Sequence, residues 1–131
     1  MKLLEDNKMT RKLIMPLAFV FGLVLFTCFC TVAFAQQVYT GNATHLRDNN
    51  NQTYTFNIIG ASDGGVWGSD VYTDDSDIAR AAVHAGIVAV GESKTVTIRI
   101  LPGRDSYDGT TRNGVTSSSY DSWHGSYSFE R

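Results

Sequence analysis

Residues that could act in catalysis or bind a metal ion fall mainly between positions 70 and 84. His84 is the clearest candidate for a general base, because imidazole exchanges protons near neutral pH. Alanines surround it and no nucleophile is paired with it in this stretch, so a hydrogen bond that orients the helix explains His84 better than catalysis. His45 and His124 lie in polar segments, and no spacing typical of zinc ligands is present. The sequence therefore predicts no catalytic residue, no cofactor and no enzyme.

Four acidic residues precede the predicted helix: Asp70, Asp74, Asp75 and Asp77. Clustered carboxylates are ligands that Ca²⁺ prefers, but this spacing lacks the turn glycine and the closing glutamate of an EF-hand loop. Helix capping, and the attraction of acids to a helix N-terminus, explain the cluster without an ion. Calcium is therefore a secondary alternative, and the main prediction is that no metal binds.

Aromatic side chains provide the first candidates for ligand binding. A stacking platform for sugar rings could be built from Trp67, Tyr107, Tyr120 and Trp123. Trp67 lies in an apolar motif and is expected in the core, whereas Trp123 lies in a turn-like context. Trp123 is therefore the better candidate for an exposed aromatic side chain.

Two arginines flank a loop rich in glycine, aspartate and threonine at 104–114. Arg104 and Arg112 could hold a phosphate or carboxylate through paired hydrogen bonds. The alternative is that both are ordinary solvated charges. Together with the aromatic candidates, they complete the predicted ligand-binding set: Arg104, Tyr107, Arg112 and Trp123.

Short strands and one helix must position these residues. Alternation of apolar and polar side chains predicts strands at 53–59, 66–68, 95–101, 115–120 and 125–131, with Pro102-Gly103 ending the third. One helix follows the cap candidates at 73–76 and ends at Gly86. Apolar residues and alanines nearly encircle that helix, which predicts its burial. The expected class is α+β, with short antiparallel strands packed around one buried central helix.

The segment 66–86 resembles the signature of the LCCL domain family, whose pattern includes V-W-G, a tyrosine, and A-A-x-H-A-G. Farther along, 107–110, 113–117 and 125–129 are similar to the later motifs of that family. The resemblance covers 53–131 and assigns structural roles to nine residues: Trp67, Tyr72, Ser76, Ala79, Ala82, His84, Gly86, Asn113 and Gly114. It implies an extracellular interaction module, linked in some relatives to lipopolysaccharide or other microbial surface material.

Cysteines distinguish this chain from the family pattern. The family usually has four cysteines in two disulfides, but here Ala79 occupies the helix position and the upstream pair is absent. Both cysteines of the chain, Cys28 and Cys30, lie in the apolar N-terminal segment. The domain is therefore expected to be free of disulfides, which places ligands of cysteine-bearing relatives in doubt.

The N-terminal segment has the pattern of an export signal. Arg11 and Lys12 precede an apolar stretch at 13–35 that closes with Ala33-Phe34-Ala35. We expect residues 1–35 to be a signal peptide cleaved after Ala35, which directs the chain to the periplasm or the medium. An uncleaved membrane anchor is the alternative, and Met9 is an alternative start. The expected mature chain comprises a strand and polar loop at 36–52 and the LCCL-like domain at 53–131.

Charge bears on the choice of partner. Residues 36–131 contain seven basic and eleven acidic side chains, so the net charge of this part is −4. Nucleic acids and anionic membranes favour basic surfaces, and neither is expected as the partner. The sequence thus predicts a binding module for an envelope glycan, a lipopolysaccharide-type ligand or a protein partner. A structural or stress-related envelope protein without a small ligand is the alternative, and an enzyme is a weaker one.

Overall fold

The computed structural model describes residues 35–131, so the predicted signal lies, apart from Ala35, outside the described residues. Five strands form one antiparallel sheet, which in spatial order consists of Thr53–Ile59, Ser93–Arg104, Trp123–Phe129, Val71–Thr73 and Gly68–Ser69. Two further strands, Thr111–Arg112 and Val115–Thr116, form a separate hairpin. The α+β class is confirmed. No helix in this described part has both the length and the apolar character needed to cross a membrane. The elements are a 3-10 turn (Thr44–Leu46), β1 (Thr53–Ile59), β2 (Gly68–Ser69), β3 (Val71–Thr73), α1 (Ile78–His84), β4 (Ser93–Arg104), β5 (Thr111–Arg112), β6 (Val115–Thr116) and β7 (Trp123–Phe129).

Strand β4 pairs with β1 on one side and with β7 on the other. The bounds predicted for β1 are confirmed, and Val96, Ile98 and Ile100 of β4 are buried as expected. Alternation at a period of two places these side chains on one face of the sheet. That face supplies much of the hydrophobic core.

The prediction that Pro102-Gly103 ends this strand is wrong, because β4 continues to Arg104. Ile100 directs its backbone N–H to Gln52 and accepts a hydrogen bond from Asn51, so its polar backbone groups face the β1 side. Pro102 lies two residues farther along β4, so its ring nitrogen also faces the β1 side. At that point β4 has run past Thr53, the first residue of β1. No ladder hydrogen bond is lost there, and proline is tolerated at such a position.

Helix α1 begins later than the sequence suggested. Asp77, rather than a residue of 73–76, is the N-cap, and its Oδ1 accepts a hydrogen bond of 2.9 Å from the backbone N–H of Arg80. At the other end Gly86 has φ of +76°, a conformation that glycine adopts without steric cost.

The side chains of α1 are almost all buried. Within it, Ala79, Ala82 and Val83 are 6%, 0% and 2% exposed, which confirms the expectation for this apolar surface. Small side chains allow the neighbouring backbone to approach the helix closely. Tyr72 and Tyr127 of the sheet are completely buried and belong to the same core cluster.

The predicted strand at 115–120 is much shorter in the structure. Only Val115–Thr116 forms a strand, and it pairs with Thr111–Arg112 across Asn113-Gly114. Both turn residues have positive φ, 52° and 76°, which is typical of a two-residue hairpin turn. The loop predicted at 104–114 therefore ends in a β-hairpin beside the C-terminus of α1.

Candidate functional site

Both ring nitrogens of His84 form hydrogen bonds within the protein, and the residue is 0% exposed. Its Nε2 lies 3.1 Å from the carbonyl oxygen of Thr110, which can only accept, so Nε2 carries the proton and donates. Nδ1 then accepts from the hydroxyl of Tyr72 at 2.9 Å. Asn113 donates to the backbone carbonyl of His84 at 3.0 Å. The histidine thus joins β3, α1 and the hairpin, and its ring is out of reach of a substrate.

The four aspartates do not gather around a common point. Asp70 forms an ion pair of 2.8 Å with Arg112, Asp77 caps α1, and Asp74 and Asp75 have separate surroundings described below. Between residues 35 and 131, no three histidine, cysteine or acidic side chains are grouped as metal ligands. The arrangement therefore offers no support for the calcium alternative.

Asp74 anchors the first candidate ligand-binding residue, Trp123. The indole N–H donates to Asp74 Oδ1 at 2.8 Å, and Arg47 binds the same carboxylate at 2.7 and 2.9 Å. The guanidinium of Arg47 also lies over the Trp123 ring, 5.6 Å from its centroid. Trp123 is half-buried at the first position of β7, rather than exposed in a turn as predicted. Its ring orientation is therefore fixed before any ligand arrives.

The pKa of Asp74 reflects two opposing effects. Burial alone would raise this pKa, but the hydrogen bonds from Arg47 and Trp123 and the positive charge of Arg47 lower it below its ordinary value. The carboxylate is therefore ionised at neutral pH. Its negative charge is matched by Arg47, whereas the neighbouring Asp75 forms no ion pair in the described part of the chain.

A cavity of about 180 Å³ opens beside this anchor and brings together aromatic and acidic side chains. Tyr120 is 44% exposed and meets Trp123 edge to face, with ring centroids 5.7 Å apart. The lining combines aromatic rings with one hydroxyl and one carboxylate. The lining residues are Trp67, Thr73, Asp75, Tyr120 and Trp123.

Trp67 belongs to this cavity rather than to the interior, so its predicted place in the core is corrected. It is half-buried, and its backbone N–H donates to the hydroxyl of Ser76 at 3.0 Å. Gly65 packs so closely against the indole that a Cβ there would lie 2.5 Å from the ring. Glycine at 65 thus leaves room for the ring, whose remaining surface is free to line the cavity.

The other members of the predicted ligand-binding set are separated by the structure. Tyr107 is 3% exposed, and its hydroxyl accepts a hydrogen bond from the backbone N–H of Arg104, so its ring is not available for stacking. Arg104 is exposed and lies directly opposite Trp123 across the β4–β7 ladder. Arg112 is engaged with Asp70. Sequence reasoning placed Tyr120 among the stacking candidates but missed Asp75 as the acid beside them.

Other clefts in the described part are wider and lack this combination. One lies between residues 37–40 and 55–57, and no charged residue lines it. Another, beside the end of α1, is lined mostly by aliphatic residues together with Glu92 and Asn113. Neither brings two aromatic rings and a carboxylate together, so the cavity at Trp123 is the candidate functional site.

Comparison with protein families identifies the domain. The sequence model of the LCCL domain matches residues 27–127, which is most of the chain. The chain belongs to the LCCL family. The resemblance to this family is thereby confirmed, and the matched range begins upstream of residue 53 and ends at residue 127.

Curated relatives share the LCCL region with this chain. The transcriptional regulatory protein rxt3 of Schizosaccharomyces pombe is 43% identical over 61 residues, which are 44% of this chain and 17% of that protein. Human cysteine-rich secretory protein LCCL domain-containing 2 is 37% identical, over 41% of this chain and 11% of its own. Guinea-pig (Cavia porcellus) cochlin is 36% identical, over 47% of this chain and 11% of its own.

The chain therefore spans less than a fifth of the length of each of these relatives. Their names include a secretory protein and a transcriptional regulator, so the family occurs in proteins with different tasks. What these proteins share with this chain is the domain. One of these relatives is named as a transcriptional regulatory protein, so the expectation that nucleic acid is not a partner is left open.

Proposed function

We propose that this LCCL domain is an exported, non-catalytic binding module that holds a ligand of the cell envelope in the cavity at Trp123. The observation that carries the proposal is the meeting of Trp67, Tyr120 and Trp123 around one cavity with a carboxylate in its wall. Aromatic rings with a few fixed polar groups are typical of small-ligand sites. His84, the general-base candidate, is buried and bonded at both nitrogens, which favours binding over catalysis.

Export is supported by the sequence. The basic residues, the apolar stretch and the Ala33-Phe34-Ala35 end are the parts of a cleavable signal, and we propose cleavage after Ala35. A relative named as a secretory protein carries the same domain. The proposed mature protein begins at Gln36 and works in the periplasm or outside the cell. In it, we infer, α1 is the central element around which the strands pack.

A glycan is the ligand that we favour in this setting. One sugar ring can stack on the exposed aromatic surface while its hydroxyls donate to Asp75. Arg104, opposite Trp123 on the neighbouring strand, is placed to meet a phosphate or carboxylate at the edge of such a ligand. Peptidoglycan, lipopolysaccharide and envelope polysaccharides all combine sugar rings with anionic groups, and a glycan-bearing protein partner presents the same chemistry.

Retention on envelope material tests the proposal. Full-length protein is incubated with peptidoglycan, lipopolysaccharide or a neutral polysaccharide at low and high salt. We expect retention on at least one of them, and Tyr120→Ala should weaken it by about fivefold, because a stacked aromatic contact contributes on the order of 1 kcal/mol. Arg104→Ala should weaken retention mainly at low salt, where charges are less screened.

Arg112→Ala is the matched control, because its guanidinium is already paired with Asp70 and does not line the cavity. It should bind as the unmodified protein does. Failure to bind any envelope material would contradict the proposal and favour a structural envelope protein without a small ligand. Equal loss of binding in the control would instead place the ligand on the 104–114 loop.

A further inference from the structure

Asp75 forms no ion pair among the described residues, and the nearby Arg47, whose charge also acts on Asp75, is bound to Asp74. Its Oδ1 is buried and, among residues 35–131, has no hydrogen-bond partner. None of the ion pairs in this part of the chain includes Asp75, whereas the adjacent Asp74 is bound by both Arg47 and Trp123. Burying an unpaired carboxylate oxygen costs free energy. Because Asp75 also lines the cavity, the positive charge of a bound cation would offset part of that cost.

The rings around Asp75 favour the same kind of ligand. Trp67, Tyr120 and Trp123 all line the cavity, and the faces of aromatic rings attract cations through the negative potential of their π electrons. The protein already uses this attraction on Trp123, where Arg47 lies over the ring at 5.6 Å from its centroid. Two or more rings with a carboxylate form the surroundings in which proteins hold quaternary ammonium groups.

Charges near the cavity are consistent with a cationic ligand. Arg47 is neutralised by Asp74, and Arg104 is exposed and does not line the cavity. Asp121 lies in the cleft beside Tyr120 and adds a further negative charge to this side of the molecule. The volume of about 180 Å³ limits the occupant to a small group.

We propose that the cavity between Trp67, Tyr120 and Trp123 selects an alkylammonium group, with Asp75 as its counter-charge. This inference rests on the proposed function, since it names the chemical group that the same site recognises. The group is a primary or quaternary amine at the end of a larger envelope molecule, such as an amino-bearing substituent of a glycan. Neutral sugar rings, which stack and donate hydrogen bonds but carry no charge opposite to that of Asp75, then bind more weakly.

Tryptophan fluorescence reads this site directly, because the chain has two tryptophans and both line the cavity. Full-length protein is titrated with choline, with its neutral isostere 3,3-dimethylbutanol, and with sodium chloride as a control for ionic strength. We expect a saturable change with choline, at least tenfold weaker binding of the neutral alcohol, and no saturable change with the salt. Equal binding of choline and the alcohol would overturn the inference.

Variants assign the effect to the carboxylate. Asp75→Asn keeps the size and shape of the side chain and should weaken choline binding at least tenfold, whereas Asp63→Asn, at an exposed position, should leave it unchanged. Urea midpoints establish that both variants are folded. Should Asp75→Asn fail to fold, Tyr120→Leu at the exposed rim provides the second test and should weaken choline binding several-fold. Unchanged choline binding in a folded Asp75→Asn or Tyr120→Leu variant would contradict the proposal.

The failure of this inference differs from the failure of the proposed function. If glycan fragments without an amine change the fluorescence and choline does not, the site binds sugars and the inferred selectivity is wrong. If neither choline nor any envelope material binds, the proposed function fails and the inference fails with it.

Discussion

At the scale of single residues, two adjacent aspartates serve different purposes. Asp74 is 1% exposed and satisfied by Arg47 and Trp123, so it fixes the ring that the cavity needs. Asp75 lines the cavity, and its buried Oδ1 has no hydrogen-bond partner among residues 35–131. Gly125 belongs to the same arrangement, because a Cβ there would lie 2.2 Å from Asp74 Oδ2. One carboxylate therefore organises the site, and the other is available to a ligand.

The role of Asp74 predicts a dependence of stability on acid. Its pKa is lowered in the folded protein, so its contribution is present above the unfolded value near 3.8 and is lost as pH falls through the folded pKa. Asp74→Asn should lower the free energy of unfolding by about 2–4 kcal/mol at neutral pH, because the charge of Arg47 loses its partner. At pH 3 the difference should be smaller.

Urea unfolding at pH 7 and pH 3 measures this difference. Asp63→Asn, which changes an exposed acid of the same kind, is the control and should alter stability little at either pH. A difference between Asp74→Asn and the unmodified protein that stays the same at both pH values would show that Asp74 contributes only packing.

At the scale of elements, short segments are held by contacts that lie far apart in the sequence. Helix α1 is only seven residues long, which is too short to be stable alone in water. Its N-terminus is capped by Asp77, and its C-terminus is bound by Asn113 of the hairpin turn. Tyr127 of β7 donates to the carbonyl of Ser76, just before the helix, at 3.0 Å. The helix therefore depends on tertiary contacts at both ends.

The cap predicts a measurable loss of stability. Asp77→Ala removes the acceptor of the Arg80 backbone N–H and should cost about 1 kcal/mol in the free energy of unfolding. Asp105→Ala, at an exposed loop position, is the matched control. Urea midpoints at neutral pH provide the comparison. An Asp77→Ala midpoint equal to that of the control would mean that another residue caps α1.

Sequence reasoning succeeded where local periodicity determines structure and failed where distant contacts do. Strand β1 and the buried faces of α1 and β4 followed from apolar spacing. The passage of β4 through Pro102 depends on where β1 begins, which local sequence does not reveal. The hairpin at Asn113-Gly114 was missed although its turn signal is strong, since its strands are only two residues each.

The candidate site was only partly predictable, because residue types can be read from the sequence but contacts between distant residues cannot. Residue type identified Trp123 and Tyr120 as stacking candidates and Arg104 as a candidate to hold a phosphate or carboxylate. Sequence could not separate Tyr107, which is buried, from Tyr120, which is exposed, because each lies between a serine and an aspartate. Nor could it show that Asp74 is neutralised by Arg47, 27 residues away, while Asp75 is not.

At the scale of the whole molecule, the described residues 35–131 contain no cysteine, and their stability rests on a core that contains buried tyrosines. Tyr72 and Tyr127 are completely buried, and their hydroxyls donate to His84 and to the Ser76 carbonyl. Burial raises the pKa of Tyr72 above 10.0 and raises that of Tyr127 well above it, and neighbouring acids contribute to both shifts. The folded protein therefore resists ionisation of these phenols.

Alkaline unfolding follows from these two shifts. A phenol with a raised folded pKa contributes stability that is fully present below the unfolded value near 10.0 and is lost as pH rises above it. Stability should therefore be flat from neutral pH to about pH 9 and then fall, with each phenol contributing a slope of at most about 1.4 kcal/mol per pH unit.

Tyr127→Phe should cost about 1 kcal/mol at neutral pH through its lost hydrogen bond, yet flatten the alkaline fall. Tyr54→Phe, on the half-exposed edge strand, should leave the alkaline fall unchanged. Urea unfolding followed by far-ultraviolet circular dichroism at several pH values separates the two effects, and an alkaline fall as steep in Tyr127→Phe as in the unmodified protein would place the sensitive group elsewhere in the core.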